Sequence, residues 1–189
     1  MKRSLLSLGL TVMIAAAALS VSAQMKKKAP LSPPEQTTVT VHGQTISIKY
    51  SSPRVRGREG HIFGPGGLIS HDVHYPVWRA GANAATTLTT TADLTIGHLK
   101  VPKGAYTLFV NIKDPNHWVL IVNKETGEWG LAYKAADDLG TVPMHMSKPR
   151  HMIEDLVWKI SVHANGKGEL TLGWEDHVAS VPFTMHISK

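Results

Sequence analysis

The sequence predicts an all-β domain, an antiparallel β-sandwich or barrel-like fold with one long irregular loop and at most one short helix. Two observations carry this prediction. Apolar residues recur at every second position in many short segments, which is the periodicity of a half-buried strand. Glycine, proline and asparagine turns separate these segments at short intervals, as they do in sandwiches and barrels.

The predicted strands follow one another along the chain. They lie at residues 37–41, 45–50, 86–91, 94–101, 106–112, 118–122, 156–163, 170–174 and 181–187. Residues 45–50 are typical, because Ile46, Ile48 and Tyr50 alternate with polar residues. Residues 118–122 are apolar at consecutive positions, which places that strand centrally in a sheet. Only Tyr133 to Leu139 suggests a short helix.

Residues 51–85 form the long irregular loop. They contain an arginine-rich segment, the turn sequence Gly64-Pro65-Gly66-Gly67, a histidine-rich stretch and the segment Trp78 to Asn83. A loop of this length is uncommon in a compact domain and is often functional.

The N-terminus has the three parts of a secretion signal. Lys2 and Arg3 are the positive region, an apolar run extends from Leu5, and Val21-Ser22-Ala23 supplies small residues for a peptidase. We expect cleavage after Ala23 and a periplasmic or secreted protein, a retained anchor being the alternative. Residues 24–36 then read as a flexible linker and residues 37–189 as one domain.

Charge and cysteine content exclude several classes of function. The formal net charge is +6, but five of the lysines and arginines lie in the signal and the linker, so the folded part is nearly neutral. A nucleic-acid surface needs a concentrated basic face, and we expect no nucleic-acid partner. The chain has no cysteine, which excludes disulfides and thiolate metal sites. No stretch after the signal is long enough to cross a membrane.

Five segments, taken together and in order, carry a resemblance to a known family. They are Ser52-Pro53-Arg54-Val55-Arg56-Gly57-Arg58, Val77-Trp78-Arg79-Ala80-Gly81-Ala82-Asn83, Pro102-Lys103-Gly104-Ala105-Tyr106-Thr107-Leu108-Phe109, Asn123-Lys124 with Trp129-Gly130, and Leu172-Gly173-Trp174-Glu175. Together they resemble DUF2911, a family of uncharacterised exported bacterial proteins, over roughly residues 38–187. The resemblance implies a β-rich exported domain and implies no activity. The chain departs from the family at Ala84, where the family usually has an acidic residue, and in a longer stretch from Gly60 to His74.

The first candidate site would bind a ligand on the long loop. Its members are Arg54, Arg56, Trp78, Arg79, Asn83 and Trp129, with Arg58 beside them. Arginine presents a planar fork of donors that suits carboxylate, phosphate or sulfate, and a tryptophan can stack on a sugar. The alternative is structural: the arginines pair with a buried carboxylate such as Glu175 and hold the loop together.

Two further sets are candidate metal ligands. His71 and His74, completed by Asp72 or His61, would suit zinc, nickel or copper. The alternative for these histidines is a solvated loop. Met144, His145 and Met146, with His151 and Met152, would suit copper(I). The alternative is that Met144 and Met146 fill the core.

The sequence has no hydrolase or nucleotide-binding signature of the G-x-S-x-G, H-E-x-x-H or P-loop type. We therefore expect a non-catalytic exported domain that binds an anionic or sugar-like ligand, and the sequence requires no cofactor. A metal-binding protein and a structural domain of the cell envelope are the alternatives. Nothing in the sequence indicates an oligomeric state.

Overall fold

The computed structural model describes residues 30–127 and 132–187. The elements in this part of the chain are β1 (Pro34–Val41), β2 (Gln44–Ser51), the 3-10 turn η1 (Leu68–His71), β3 (Val77–Trp78), β4 (Thr86–Thr90), β5 (Leu94–Ile96), β6 (Leu99–Val101), β7 (Gly104–Asn111), β8 (Val119–Asn123), the 3-10 turn η2 (Ala135–Asp137), β9 (Asp138–Pro143), β10 (His145–Ser147), β11 (Ile153–Val162), β12 (Lys167–Glu175) and β13 (His177–Met185). Residues 1–29, with the predicted signal peptide and most of the predicted linker, lie outside the described residues.

The strands form two antiparallel sheets. One has the order β1-β2-β4-β7-β8-β9, with β3 also paired to β7. The other has the order β11-β12-β13-β5-β6, with β10 also paired to β13. Contacts between β1 and β11 and between β6 and β9 bring the sheets together at both sides. The predicted all-β sandwich is confirmed.

The core lies between the two sheets and follows the predicted alternation. Ile46, Ile48 and Tyr50 of β2 are buried, whereas Lys49 between them is exposed. β8 is buried at consecutive positions and lies between β7 and β9, which confirms its central place. Since the chain has no cysteine, apolar packing of this kind carries the stability of the fold.

Three local predictions need correction. β1 begins at Pro34, because residues 34–36 pair with residues 49–51 of β2 and so belong to the sheet rather than to the linker. The segment 94–101 is two strands, since Gly97 has a φ of +57° and turns the chain back on itself. The predicted helix at Tyr133–Leu139 is only the 3-10 turn η2, because the chain from Asp138 pairs with β8 instead.

In the part of the chain that the structure describes, no helix has the length and apolar character needed to span a membrane.

Candidate ligand pocket on the long loop

The loop between β2 and β4 is tied to the sandwich by buried hydrogen bonds. Trp158 Nε1 of β11 donates to the carbonyl of Ala80 over 3.0 Å, and Thr86 Oγ1 donates to the same carbonyl over 3.0 Å. Trp78 Nε1 donates to the carbonyl of Gly81 over 3.1 Å. Buried polar groups that are satisfied in this way fix a loop in one conformation. The segment that carries Arg79 is therefore held rigidly.

Arg54, Arg56 and Arg58 do not converge with Arg79. Arg54 pairs with Asp155, Arg56 Nη2 donates to the carbonyl of Leu31, and Arg58 donates to backbone carbonyls of its own segment. The three arginines do not share one face of an extended segment, because Arg56 has a φ of 54° and interrupts the extended backbone. Arg54 and Arg56 do not line the cavity that Arg79 lines, so their place in one ligand site with it stays a prediction. The contacts of the three arginines are those that the structural interpretation describes.

Arg79 forms a shielded ion pair with Asp72. Arg79 Nη2 lies 2.5 Å from Asp72 Oδ2, and the two side chains are 15% and 8% exposed. Asp72 Oδ1 also accepts the backbone N–H of His74 over 3.2 Å, and Arg79 Nη1 donates to the carbonyl of Asn83 over 3.3 Å. Arg79 Nε is buried and has no hydrogen-bond partner within the described residues. Buried donors without a partner are rare and destabilising.

This ion pair lies in the wall of a pocket of about 420 Å³, which we call the loop pocket. Its polar lining comes from His71, Asp72, Arg79 and Asn83, and its apolar lining from Pro53, Leu68, Ile69, Val73, Trp78, Gly81, Ala82 and Trp174. The Nε1 donor of Trp174 is buried and, among the residues described, has no hydrogen-bond partner either. The pocket is therefore a preformed cavity, and two of the residues that line it carry a buried donor without a partner.

A second cavity, of about 450 Å³, lies along β1 and β2 beside Glu35, Gln36 and Lys49. It is slightly larger, but of the predicted site residues none lines it. The buried polar atoms without a partner in residues 30–127 and 132–187 belong to Arg79, Trp174 and His177, and none of these lines it either. The loop pocket is for this reason the better candidate site.

Trp78 does not have the predicted stacking role. Its side chain is 3% exposed, and its ring stacks on Trp174 with centroids 5.9 Å apart and planes at 20°. Phe63 meets both rings edge-on, at centroid distances of 5.7 Å. Because its side chain is almost inaccessible and its ring stacks on Trp174, Trp78 forms part of the pocket wall and offers no open face to a sugar.

Asn83 lines the loop pocket and is exposed. Its φ of 57° is left-handed, a conformation that asparagine tolerates better than most residues. Its Nδ2 donates to the carbonyl of Ser32 over 3.4 Å, which links the side chain to the segment before β1. Trp129, the last of the predicted ligand residues, lies outside the described residues.

The two histidines predicted as metal ligands on the loop, His71 and His74, have different surroundings. His71 is exposed and lines the loop pocket, whereas the ring of His74 packs edge-on to Tyr133 at 5.9 Å. Asp72 is engaged by Arg79 rather than shared between the histidines. Neither histidine belongs to a group of three or more potential ligands in the described chain, so zinc or copper binding there stays a prediction from spacing.

A group of three potential ligands does occur at the turn between β12 and β13. Ligand atoms of Glu175, Asp176 and His177 lie within 4.8 Å of one another. Asp176 is 2.5 Å from His177 Nδ1 and 3.6 Å from Lys148 Nζ, although the approach to the imidazole is not aligned as a hydrogen bond.

The methionine and histidine segment does not converge on one point. Met144 is buried in the core, as the core-filling interpretation expects, whereas His145 is exposed on β10 and Met146 is half-buried. Successive residues of a strand face opposite sides, so Met146 and His145 point apart. His151 and Met152 are exposed beyond the strand. Copper binding by this segment stays a prediction.

Glu175 is the buried carboxylate that the structural interpretation expected, but an arginine is not its partner. It is 4% exposed, and its Oε1 accepts the backbone N–H of Gly60 over 2.5 Å. Burial raises the pKa of Glu175, although the hydrogen bond from Gly60 acts in the opposite direction. Glu175 therefore ties the first half of the loop to the turn between β12 and β13.

Sequence reasoning considered Asp72 only as a metal ligand and Trp174 only as part of a strand. Asp72 precedes Arg79 by seven residues in an irregular segment, so no periodicity relates them. The one feature of the sequence that could have suggested the ion pair is that Asp72 and Arg79 have opposite charges and lie in the same loop. For Trp174 there was no signal, because the loop reaches it only through the tertiary fold.

Taken together, these features define a class of protein: a two-sheet antiparallel β domain whose longest loop folds back to form a pocket around a shielded Asp–Arg pair. The chain matches the family model described as "Protein of unknown function (DUF2911)" over residues 32–183, and it belongs to that family. This confirms the resemblance seen in the sequence. No curated protein and no solved structure matches the chain.

Proposed function

We propose that this protein is a non-catalytic domain that binds a small ligand in the loop pocket. The observation that carries the proposal is the Asp72–Arg79 pair in the wall of a cavity of about 420 Å³, with Arg79 Nε left unsatisfied. Cavities of this size are typical of small-molecule sites, in which a few placed polar groups orient the ligand.

The rim of the pocket supports binding of a ligand with an apolar side. Leu68 is 43% exposed and Val73 is 72% exposed, and both line the cavity. Burying such side chains against a ligand contributes about 25 cal/mol per Å² of apolar area. The rigid attachment of the loop through Ala80 lowers the entropy lost on binding, because the site is already ordered.

The charged pair in the pocket wall favours recognition over catalysis by Asp72. Asp72 and Arg79 are committed to each other, and Arg79 is further held by the carbonyl of Asn83. A general base needs a carboxylate or imidazole that is free to take a proton from the substrate. A paired carboxylate instead serves as a fixed hydrogen-bond acceptor.

We further propose that the protein acts in the periplasm or outside the cell, after removal of residues 1–23. The composition of the N-terminus supports this. Expression of the full chain in a bacterium, followed by mass spectrometry of the protein in each fraction, tests it. We expect a mature chain that begins at Gln24 in the periplasm or medium. Recovery of the uncleaved chain from the cytoplasm would contradict the proposal.

Ligand binding is tested by ¹H–¹⁵N NMR spectra of the purified protein, with monosaccharides, glucuronate and sulfate as probes. We expect a bound probe to shift the indole N–H of Trp174 and the Nε–H of Arg79, because both residues line the pocket. The Asp155→Asn variant is the matched control, since it removes the exposed partner of Arg54 and leaves the pocket intact. If none of these probes moves either signal, the proposal fails.

A structural role is the second candidate function. The contacts of Arg54, Arg56 and Arg58, all made within the chain, favour it. On this alternative the loop only stabilises the domain, and substitutions in the pocket change stability without affecting the binding of any probe.

A further inference from the structure

We infer that the loop pocket selects a neutral ligand with neighbouring hydroxyl groups, of the monosaccharide class, over an anionic one. This inference rests on the proposed function and names its ligand class. It follows from which groups in the pocket wall donate hydrogen bonds, which accept them, and how their charges balance.

The wall contains groups of both kinds, and each is restricted to one role. The carboxylate of Asp72 only accepts hydrogen bonds, whereas the guanidinium of Arg79 and the indole N–H of Trp174 only donate them. The ligand must therefore offer donors and acceptors at the same time. A carboxylate or sulfate offers only acceptors, and an ammonium group offers only donors.

Two of the donors are left without partners in the described part of the chain. They are Arg79 Nε and Trp174 Nε1, and Trp174 is only 2% exposed. A buried donor without a partner is destabilising, so native proteins keep few of them. Both residues line the same cavity. Because both atoms are buried, the polar groups that a ligand in the cavity reaches directly are those of the Asp72–Arg79 pair.

The charges in the pocket disfavour an anion. Asp72 Oδ2 lies 2.5 Å from Arg79 Nη2, so the positive charge of Arg79 is already balanced within the protein. An anion that approached Arg79 would also meet the carboxylate of Asp72. Arg54 and Arg56 do not line this cavity and cannot compensate for that repulsion. The anionic ligand expected from the arginine-rich sequence is for this reason the weaker candidate.

A hydroxyl group fits the closeness of acceptor and donor. Because one hydroxyl oxygen can donate to a carboxylate and accept from an N–H, it satisfies both roles over a short distance. Two neighbouring hydroxyls can pair one with Asp72 and the other with a free donor of Arg79. The C–H side of a sugar ring is apolar and matches the exposed side chains of Leu68 and Val73. The lining as a whole is complementary to a polyhydroxyl compound.

The test compares matched probes by the same NMR signals. The methyl glycosides of glucose, galactose, mannose and N-acetylglucosamine are titrated against glucuronate and inorganic sulfate. We expect at least one neutral glycoside to shift the signals of Trp174 Nε1–H and Arg79 Nε–H, with an affinity at least tenfold higher than that of either anion. If an anion shifts these signals with the higher affinity, the inference is wrong while the proposed pocket survives. If no probe shifts them, the proposed function itself fails.

The Asp72→Asn variant supplies the second measurement. Removing the carboxylate frees the charge of Arg79 and replaces an acceptor with a group that also donates. We expect glucuronate to gain at least tenfold in affinity relative to the neutral glycoside, whereas Asp155→Asn leaves the ratio unchanged. An unchanged ratio in folded Asp72→Asn protein would overturn the role of Asp72 in selection. Circular dichroism confirms that the variants are folded, and the comparison of probes on the natural sequence does not depend on them.

Discussion

Asp72 Oδ2 and Arg79 Nη2 lie 2.5 Å apart, and so do Asp155 Oδ1 and Arg54 Nε, yet the two ion pairs lie in different surroundings. The side chains of the first pair are 8% and 15% exposed, whereas those of the second are 47% and 50% exposed. Water screens an exposed pair and replaces its partners when one is removed. A shielded charge that loses its partner has no such replacement.

Arg79→Ala is therefore expected to destabilise the domain strongly. It leaves the carboxylate of Asp72 shielded and without its partner, which costs about 3 kcal/mol in the free energy of unfolding. Urea unfolding followed by tryptophan fluorescence measures the loss. The control is Asp155→Ala, for which we expect a much smaller loss because the pair is exposed. Equal losses in the two variants would show that the Asp72–Arg79 pair is not shielded.

Glu175 is expected to make stability depend on pH. Burial raises its pKa above the ordinary value of 4.5, so in the range just above that value the folded protein binds more protons than the unfolded chain. The contribution of Glu175 to the free energy of unfolding therefore falls as pH rises from about 4.5 towards the raised pKa. Below that range the contribution is fully present.

Glu175→Gln removes the pH-dependent contribution of Glu175 to the free energy of unfolding. It keeps an oxygen that can accept the N–H of Gly60. We expect the variant to gain stability relative to the natural protein as the pH is raised from 4 to 7. Urea unfolding at several pH values measures the difference. A difference that stays constant, or changes in the other direction, would contradict a raised pKa for Glu175.

Gly67 is expected to resist substitution because the backbone passes close to it. A Cβ at this position would lie 2.6 Å from the carbonyl oxygen of Phe63 and 2.7 Å from that of Ile62. We expect Gly67→Ala to cost about 1–3 kcal/mol, as overpacking does, and to shift the NMR signals of the loop pocket.

Gly66 is the matched comparison for Gly67. A Cβ there meets nothing within 4 Å, but the φ of +77° is left-handed. Gly66→Ala should therefore cost about 1 kcal/mol from backbone strain alone and leave the signals of Trp174 and Arg79 in place. If both variants shift those signals equally, close approach at Gly67 does not shape the pocket.

Tyr133 is expected to remain protonated at pH 11. Burial, together with its hydrogen bond of 2.8 Å to Asp138 Oδ2 and the charge of that carboxylate, raises its pKa to about 12. Tyr133→Phe should therefore leave the absorbance change at 295 nm between pH 8 and pH 11 nearly unchanged. Asp138→Asn should increase it, because the pKa of Tyr133 then falls. A large decrease in Tyr133→Phe would place the pKa of Tyr133 in the normal range.

Much of the sheet structure could be predicted because it depends on local patterns. Ile46, Ile48 and Tyr50 alternate with polar residues, and in the structure they are buried on one face of β2. The turn at Gly166 joins β11 to β12 as its sequence indicates. The helix predicted at Tyr133–Leu139 does not form, because pairing of β9 with β8, which is not a local property of the sequence, outweighs the local preference.

The candidate site was only partly predictable. Arg79 and Asn83 were identified from residue type and their place in a long loop, and both line the pocket. Trp78 was assigned a stacking role because an indole beside an arginine suggests one. Its burial is decided by Phe63 and Trp174, which local sequence does not relate to it.

By itself, the sequence determined the β architecture, the family and the long loop that carries the candidate site, because periodicity, turn residues and ordered motifs are properties of the chain alone. Only the tertiary structure decided which arginine faces a cavity, that Asp72 balances its charge, and that Trp174 closes the wall. Those outcomes depend on distances between segments that are far apart in the chain, such as Gly60 and Glu175. The charge balance between Asp72 and Arg79 arises from these distances. It is the reason why we now expect a neutral polyhydroxyl ligand rather than an anion.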